Sequence, residues 1–397
     1  MKKESSLGGK LIQVFGSYGL ACLCLIFLFV LTFFGTLHQV ENGLYDAKQT
    51  YFNSWFLWTE VGGVSVPYFP GGVLSMSLLT VNLIIGGLLR ITWSTRNAGV
   101  IIIHFGIIFM LLAGLVKLTR SDEGHLTLME GGSSDHFQSY NLWEVAVWEV
   151  TAGEVGEELL IPDEHITDLI GSTRRTFTSP DLPFDLTLTG FVQNCDILPK
   201  GPQWEATGEV IDGYGILALP AEKESERDLA GIHAEVLIDG RSERAILYGA
   251  QRAPWVFNAS GKRWAVDMRH TRYPMPYGIT LKKFQKEDHP GISMAKSFRS
   301  WVTRADESGE EEILIQMNEP LREGGLVLFQ SSWGPEGAGP EGPFFSVFSV
   351  VRNPSDKWPE YSMWIIFIGL VMTFLRTLLR FVRKQNAERQ KLAQDPS

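Results

Sequence analysis

The sequence predicts an integral membrane protein with four α-helical transmembrane spans and a large all-β exoplasmic domain, built as a sandwich or an open barrel. Three observations carry that prediction. Apolar residues concentrate in four uncharged blocks, the stretch between the third and fourth has an ordinary soluble, acid-rich composition, and Lys and Arg gather on one side of the implied membrane. The 45% apolar content of the 397 residues therefore averages two kinds of protein. The organisation expected is a membrane part over 1–118, an exoplasmic β-rich domain over 119–360, and a span with a basic cytoplasmic tail over 361–397.

The first block, Ser17 to Leu37, reads SYGLACLCLIFLFVLTFFGTL. At 1.5 Å per residue it crosses a hydrocarbon core of ~30 Å. It shows no small-residue cleavage site at the end of a short apolar core, so it is expected to be a retained anchor. The second span is expected over Val73 to Leu89 and the third over Gly99 to Leu118. The fourth, SMWIIFIGLVMTFL from Ser362 to Leu375, is the shortest, with Trp358, Tyr361 and Trp364 as interfacial anchors at its start.

Basic residues orient the set. Lys2, Lys3 and Lys10 precede the first span, Arg90 and Arg96 separate the second and third, and Arg376, Arg380, Arg383, Lys384, Arg389 and Lys391 follow the fourth. Between the first and second spans stands Lys48 alone. Both termini are thus expected on the cytoplasmic side of a cell inner (plasma) membrane, with the large segment outside. Lys117 and Arg120 fit least well, although long side chains at a helix end can snorkel.

From Leu126 onward, strand-length runs such as LWEVAVWEV, FDLTLTGFV, HAEVLID, GITLKKF and GLVLFQSSW alternate apolar with polar residues between turn signals. The charged stretch AEKESERDL, Ala221 to Leu229, reads as a surface loop or short helix.

Several function classes are excluded. A net charge of −10 argues against nucleic acid as a partner, and the basic tail follows a span, where its role is topological. Cys22, Cys24 and Cys195 form no CxxC or CxxCH. No GxSxG, HExxH, Walker loop or GxGxxG occurs, and runs such as EGGSS read as turns.

His104 stands out, because an ionisable residue in the stretch GVIIIHFGIIFMLLAGLV is expensive in hydrocarbon and marks a functional hypothesis. Its neighbours at helical spacing, Val100, Ile101, Ile107 and Ile108, offer no hydrogen-bond partner. It lies ~7 Å inside the cytoplasmic leaflet, counting from Gly99. Two readings stand side by side: a ligand for haem iron, or an interhelical hydrogen bond to Asn82 of the second span. His38 ends the first span at the outer interface, as interfacial decoration or as a residue facing haem or quinone. His125, His136, His165, His233, His270 and His289 lack the close spacing of a zinc site. The aromatic loop YFNSWFLW, Tyr51 to Trp58, reads as an interfacial belt or a cap over the bundle, with stacking on a porphyrin as the alternative. Gly86 and Gly87 in the second span, and Gly106, Ala113 and Gly114 in the third, provide small faces for close helix approach.

Taken in order, these features resemble the ResB-like (CcsB-type) proteins of System II cytochrome c biogenesis. The most specific stretches are HFGIIFMLLAGLVKLTRSDEGHLTLMEGGS from His104 to Ser133, YGITLKKFQKEDHPG from Tyr277 to Gly291 with FRSWV after it, NEPLREGGLVLFQSSW from Asn318 to Trp333, and FSVVRNP before the last span. The resemblance implies a subunit that pairs with a CcsA-like membrane protein carrying a Trp-rich haem loop. Together they would move haem outward, handling it transiently, and dock apocytochrome c for covalent attachment. It implies His104 as an axial haem ligand within the bilayer. This chain lacks the partner's WGxxWxWD-type loop, so it is expected to be an accessory subunit, not an enzyme on its own. The competing reading is a non-haem membrane scaffold whose β-domain binds partner proteins.

Overall fold

The structure, a computed structural model, describes residues 7–151, 154–155, 157–201, 209–238, 240–289, 295–307, 309–335 and 344–394. They form two compact units, Met1–Ser121 with Asn353–Ser397, and Asp122–Arg352.

In the helical unit, α1 (Leu7–Phe15) turns into α2 (Tyr18–Ala47), whose first turn is capped by Ser17 Oγ accepting from the Leu20 N–H at 3.2 Å. The helix runs on past Leu37 through a polar continuation and kinks at Gly43, where φ is 85°. A π-helical turn, Lys48–Phe52, leads into a hairpin of β1 (Phe56–Val61) and β2 (Val64–Pro70). Gly62 and Gly63, with φ of 62° and 80°, supply the two left-handed positions that its tight turn requires. What reads as an aromatic loop is therefore divided between the π turn and a strand, with Trp55, Phe56 and Trp58 exposed. Then follow α3 (Gly72–Asn82), continued as a π-helical stretch Leu83–Leu89, α4 (Ala98–Arg120) and α5 (Trp358–Gln394). Four helices are long and apolar enough to cross a membrane: Tyr18–Phe52, Gly72–Leu89, Ala98–Arg120 and Trp358–Gln390.

Small residues at heptad spacing bring α4 and α5 together. Gly99, Gly106 and Ala113 on α4 meet Gly369, Ser362 and Ser355 in antiparallel order. Ser362 Oγ donates to the Gly106 carbonyl at 2.7 Å and Ser355 Oγ to that of Ala113 at 2.9 Å. A Cβ on Gly369 would sit 2.7 Å from the Gly99 carbonyl oxygen, so the close approach requires glycine there.

Among its described residues the second unit is all β apart from short 3₁₀ turns. Its first strands are β3 (Asp122–Met129), β4 (Ser133–Thr151), β5 (Glu154–Val155), β6 (Leu159–Pro162), β7 (Arg174–Phe177), β8 (Asp185–Val192), β9 (Cys195–Pro199) and β10 (Tyr214–Ala218). They are followed by β11 (Gly231–Ile238), β12 (Arg241–Tyr248), β13 (Trp255–Ala259), β14 (Lys262–Asp288), β15 (Ala295–Asp306), β16 (Gly309–Gln316), β17 (Leu321–Glu323), β18 (Leu326–Gly334) and β19 (Phe345–Arg352). The main sheet runs β16-β15-β14-β4-β3-β19-β18-β17, and a four-stranded sheet runs β12-β11-β8-β7.

Strand β14 joins two cores and shows how. Its N-terminal half buries Trp264, Val266 and Met268 against Trp143, Leu186, Leu188, Ile232 and Val236, which makes a sandwich with the four-stranded sheet. Its C-terminal half buries Met275, Tyr277, Ile279 and Leu281 against Phe137, Leu326, Leu328 and Phe348. The inward positions change from even to odd numbers at the irregularity between His270 and Arg272, and stay odd through the second, between Pro274 and Ile279. Around the second core the main sheet curls into a nearly closed barrel, where Arg304 of β15 pairs with Glu323 of β17 and Tyr277 Oη donates to the Glu323 carbonyl. Sandwich and open barrel, alternatives at the level of sequence, thus occur in one unit.

Candidate functional site

The segment around His104 is built from chain ends. The second span stops at Leu89, which leaves the carbonyls of its last turn without helical partners. Side chains take them up. Trp93 Nε1 donates to the Leu88 carbonyl at 2.9 Å, and His104 Nδ1 lies 3.0 Å from the Gly87 carbonyl oxygen. A carbonyl only accepts, so this bond places the imidazole proton on Nδ1 and leaves the Nε2 lone pair unprotonated in the neutral ring. Among the described residues Nε2 has no hydrogen-bond partner. Gly87 makes the approach possible, because a Cβ there would fall 2.8 Å from Nδ1.

The hydrogen bond between His104 and Asn82 is not formed, which corrects that reading. Asn82 Nδ2 instead donates to the carbonyls of Phe15 at 2.6 Å and Ser17 at 2.9 Å, at the corner between α1 and α2. The Phe15 carbonyl is a helix-end orphan of α1, whereas that of Ser17 already accepts from the Ala21 N–H at 3.3 Å and takes Asn82 as a second donor. Arg90 adds a bond to the Gly16 carbonyl at 2.9 Å, and Gly86 lets that corner approach the second span.

His38 is differently placed. Its Nε2 is 2.6 Å from Asp46 Oδ2 and its Nδ1 is 3.3 Å from Asn42 Nδ2, with Tyr51 tilted against the ring. Both ring nitrogens are engaged, so ligation by His38 would require Asp46 or Asn42 to let go. Among the described residues there is no group of three or more His, Cys, Asp or Glu side chains able to hold a metal ion. The chemistry of the His104 Nε2, a lone pair on a ring anchored through its other nitrogen, would suit a ligand for haem iron.

The β-unit holds a pair of histidines that sequence spacing does not reveal. The His125 and His270 rings come within 6.3 Å of one another, and His270 stacks on Trp143 at 3.9 Å. Among the described residues Nδ1 of each is buried without a partner, and burial pushes His270 down to about 4. The folded state therefore favours the neutral ring. Its contribution to stability is complete above the ordinary histidine value of ~6.5 and is lost as pH falls from there toward the folded value, where the unfolded chain binds more protons. His270→Gln is expected to flatten this part of the acid loss in thermal melts between neutrality and the folded value, and melts with an unchanged pH slope would contradict the assignment.

Residues 242–342 match the ResB-like family. This segment is similar to the ResB-like family. It includes the stretches from Tyr277 and from Asn318 but not His104. A second comparison finds Protein NrfI of Wolinella succinogenes, 26% identical over 110 residues. That match covers 27% of this chain and 12% of NrfI, so the chain corresponds to a small part of that relative. Within the ResB-like segment the distinctive residues are mostly structural. Tyr277, Ile279, Leu281, Phe284, Leu326 and Leu328 are buried, Gly324 and Gly325 turn the chain at φ of 57° and 76°, and Gln330 Oε1 accepts from Ser300 Oγ at 2.5 Å and Ser346 Oγ at 3.0 Å.

Proposed function

We propose that this chain is an accessory subunit of a System II cytochrome c maturation complex, taking part in haem translocation and in docking apocytochrome c beside a CcsA-like partner with a Trp-rich haem loop. In this reading both termini are cytoplasmic, the β-unit is exoplasmic, and haem is handled transiently. His104 is the residue of this chain that would hold the haem iron. The observation that carries the reading is the state of its ring, with Nδ1–H held by the Gly87 carbonyl and Nε2 open. A backbone acceptor on the far nitrogen fixes the tautomer and raises the basicity of the ligating one. Haem supplies the iron and the vinyl groups that become attached to the cytochrome. The residues of this chain supply orientation: Gly87 admits the ring, its carbonyl holds the proton, and Trp93 and Arg90 secure the end of the helix that presents that carbonyl.

The scaffold reading has one observation in its favour, since satisfying an orphan carbonyl is a sufficient structural task for His104. The two readings part on His104→Asn, which retains an amide donor. In cells that depend on this chain, covalent-haem staining of c-type cytochromes is expected to fall to background with His104→Asn and with His104→Ala. Normal maturation in the Asn variant would favour the scaffold.

A further inference from the structure

Between the segment that carries Arg96 and the middle turns of α5, Met372 to Arg383, lies a cleft of about 740 Å³ with a distinct chemistry. It is lined by Arg96, Arg376, Arg380 and Arg383, by Thr95, Thr373 and Thr377, and by Met372, Leu375 and Leu379, with no acidic side chain. Arg376 donates to the Thr95 carbonyl, which ties α5 to the segment before α4. Arg96, Arg380 and Arg383 form no ion pair among the described residues. On α5 the arginines at 376, 380 and 383 share one face, and Met372, Leu375 and Leu379 form an adjoining apolar stripe that stays exposed.

Depth decides what such a cleft meets. Measured from the interfacial Trp358, Arg376 lies ~27 Å and Arg383 ~38 Å along α5 at 1.5 Å per residue. A hydrocarbon core is ~30 Å thick, so Arg380 and Arg383 reach headgroup level with Leu379 at the boundary, while Met372 and Leu375, ~21 and ~26 Å along, still face acyl chains. We propose that this cleft is a binding site for an anionic phospholipid, its phosphate held by Arg96, Arg380 and Arg383 and an acyl chain laid along Met372, Leu375 and Leu379. Basic clefts between membrane helices at headgroup depth select such lipids by charge, whereas a soluble anion makes no use of the apolar wall. The site would tie the second loop and the last span to the lipid of one leaflet, independently of haem.

The test is native mass spectrometry of the full chain purified in detergent and incubated with phosphatidylglycerol, phosphatidylcholine or inorganic phosphate. Phosphatidylglycerol is expected to be retained about tenfold over phosphatidylcholine, and millimolar phosphate is not expected to displace it. Arg380→Gln with Arg383→Gln should reduce retention about 30-fold, at roughly fivefold per arginine, and Arg96→Gln alone about fivefold. Lys384→Gln with Arg389→Gln, the same charge change on the same helix outside the cleft, should leave retention unchanged. Equal retention of the two lipids, equal losses in the two double variants, or displacement by phosphate would overturn the proposal.

Discussion

Replacing Arg269 by Met is expected to lower the stability of the β-unit by about 3–5 kcal/mol, the usual cost of stranding one partner of a buried ion pair. Arg269 is 9% exposed and Glu144 2%. The guanidinium donates through Nε to Glu144 Oε1 at 2.9 Å, and through Nη1 to Glu158 Oε1 at 3.0 Å with Nη2 on the second oxygen. Strands β4 and β14 pair Arg269 directly with Glu144, so the cluster locks the register of the central strands just before the irregularity that flips β14. Without Arg269 the nearly inaccessible Glu144 loses the Nε–H that its Oε1 accepts from, and Glu158 loses its bidentate neighbour, with Arg272 the remaining local cation. Denaturant titration of the full chain in detergent, followed by tryptophan fluorescence, measures the loss. Adding Glu144→Leu and Glu158→Leu should recover most of it, since an apolar replacement of the whole cluster removes the stranded charge. A loss under about 1 kcal/mol for Arg269→Met would contradict this account of the cluster.

The same cluster fixes a pH dependence. Hydrogen bonding to Arg269 holds the Glu158 carboxyl below the ordinary carboxylate range. Its folded pKa is depressed, so its contribution is present above the unfolded value and is lost as pH falls through the folded one. The gap between wild type and Arg269→Met should therefore be widest near neutrality and narrow in acid.

Much of the architecture is legible in the residues, for identifiable reasons. Four uncharged blocks announce helices because hydrocarbon tolerates little else, and Gly106 and Ala113 already mark the face on which α5 packs. Alternation along runs such as LWEVAVWEV announces strands, as β4 bears out. Other features carry no local signal. The polar tail of α2 and the π-helical stretch Leu83–Leu89 depend on tertiary support, and IIGGLL suits an α-helix equally well. The hairpin at Phe56–Pro70 hides in a stretch whose aromatic content reads as an interface. The second irregularity of β14 has a trace in Pro274 and Pro276, which interrupt the ladder, but the switch of faces ahead of it and its consequence for two cores require the pairing partners. His125 and His270 meet across β4, a proximity no spacing rule records.

At the candidate site the sequence identifies the residue and not its partner. Val100, Ile101, Ile107 and Ile108 show that His104 finds nothing on its own helix. Asn82 is the polar side chain that the sequence suggests, yet the acceptor is the Gly87 carbonyl, a backbone atom that no residue identity reveals. The structural clue lies in glycine: only a residue without Cβ lets the ring come within 3.0 Å of that carbonyl. Gly87→Ala should therefore displace the ring while preserving the ligand type, and lower haem retention less than loss of His104 does.

The most direct measurement is the absorption spectrum of this chain purified together with its membrane partner, wild type against His104→Ala. Loss of the Gly87 partner costs about 1–3 kcal/mol of helix-end stability, too little to unfold the membrane unit. The account predicts bis-histidine haem absorbance in the wild-type complex and its near-complete loss in His104→Ala at equal protein recovery. Full haem occupancy in that variant would contradict it.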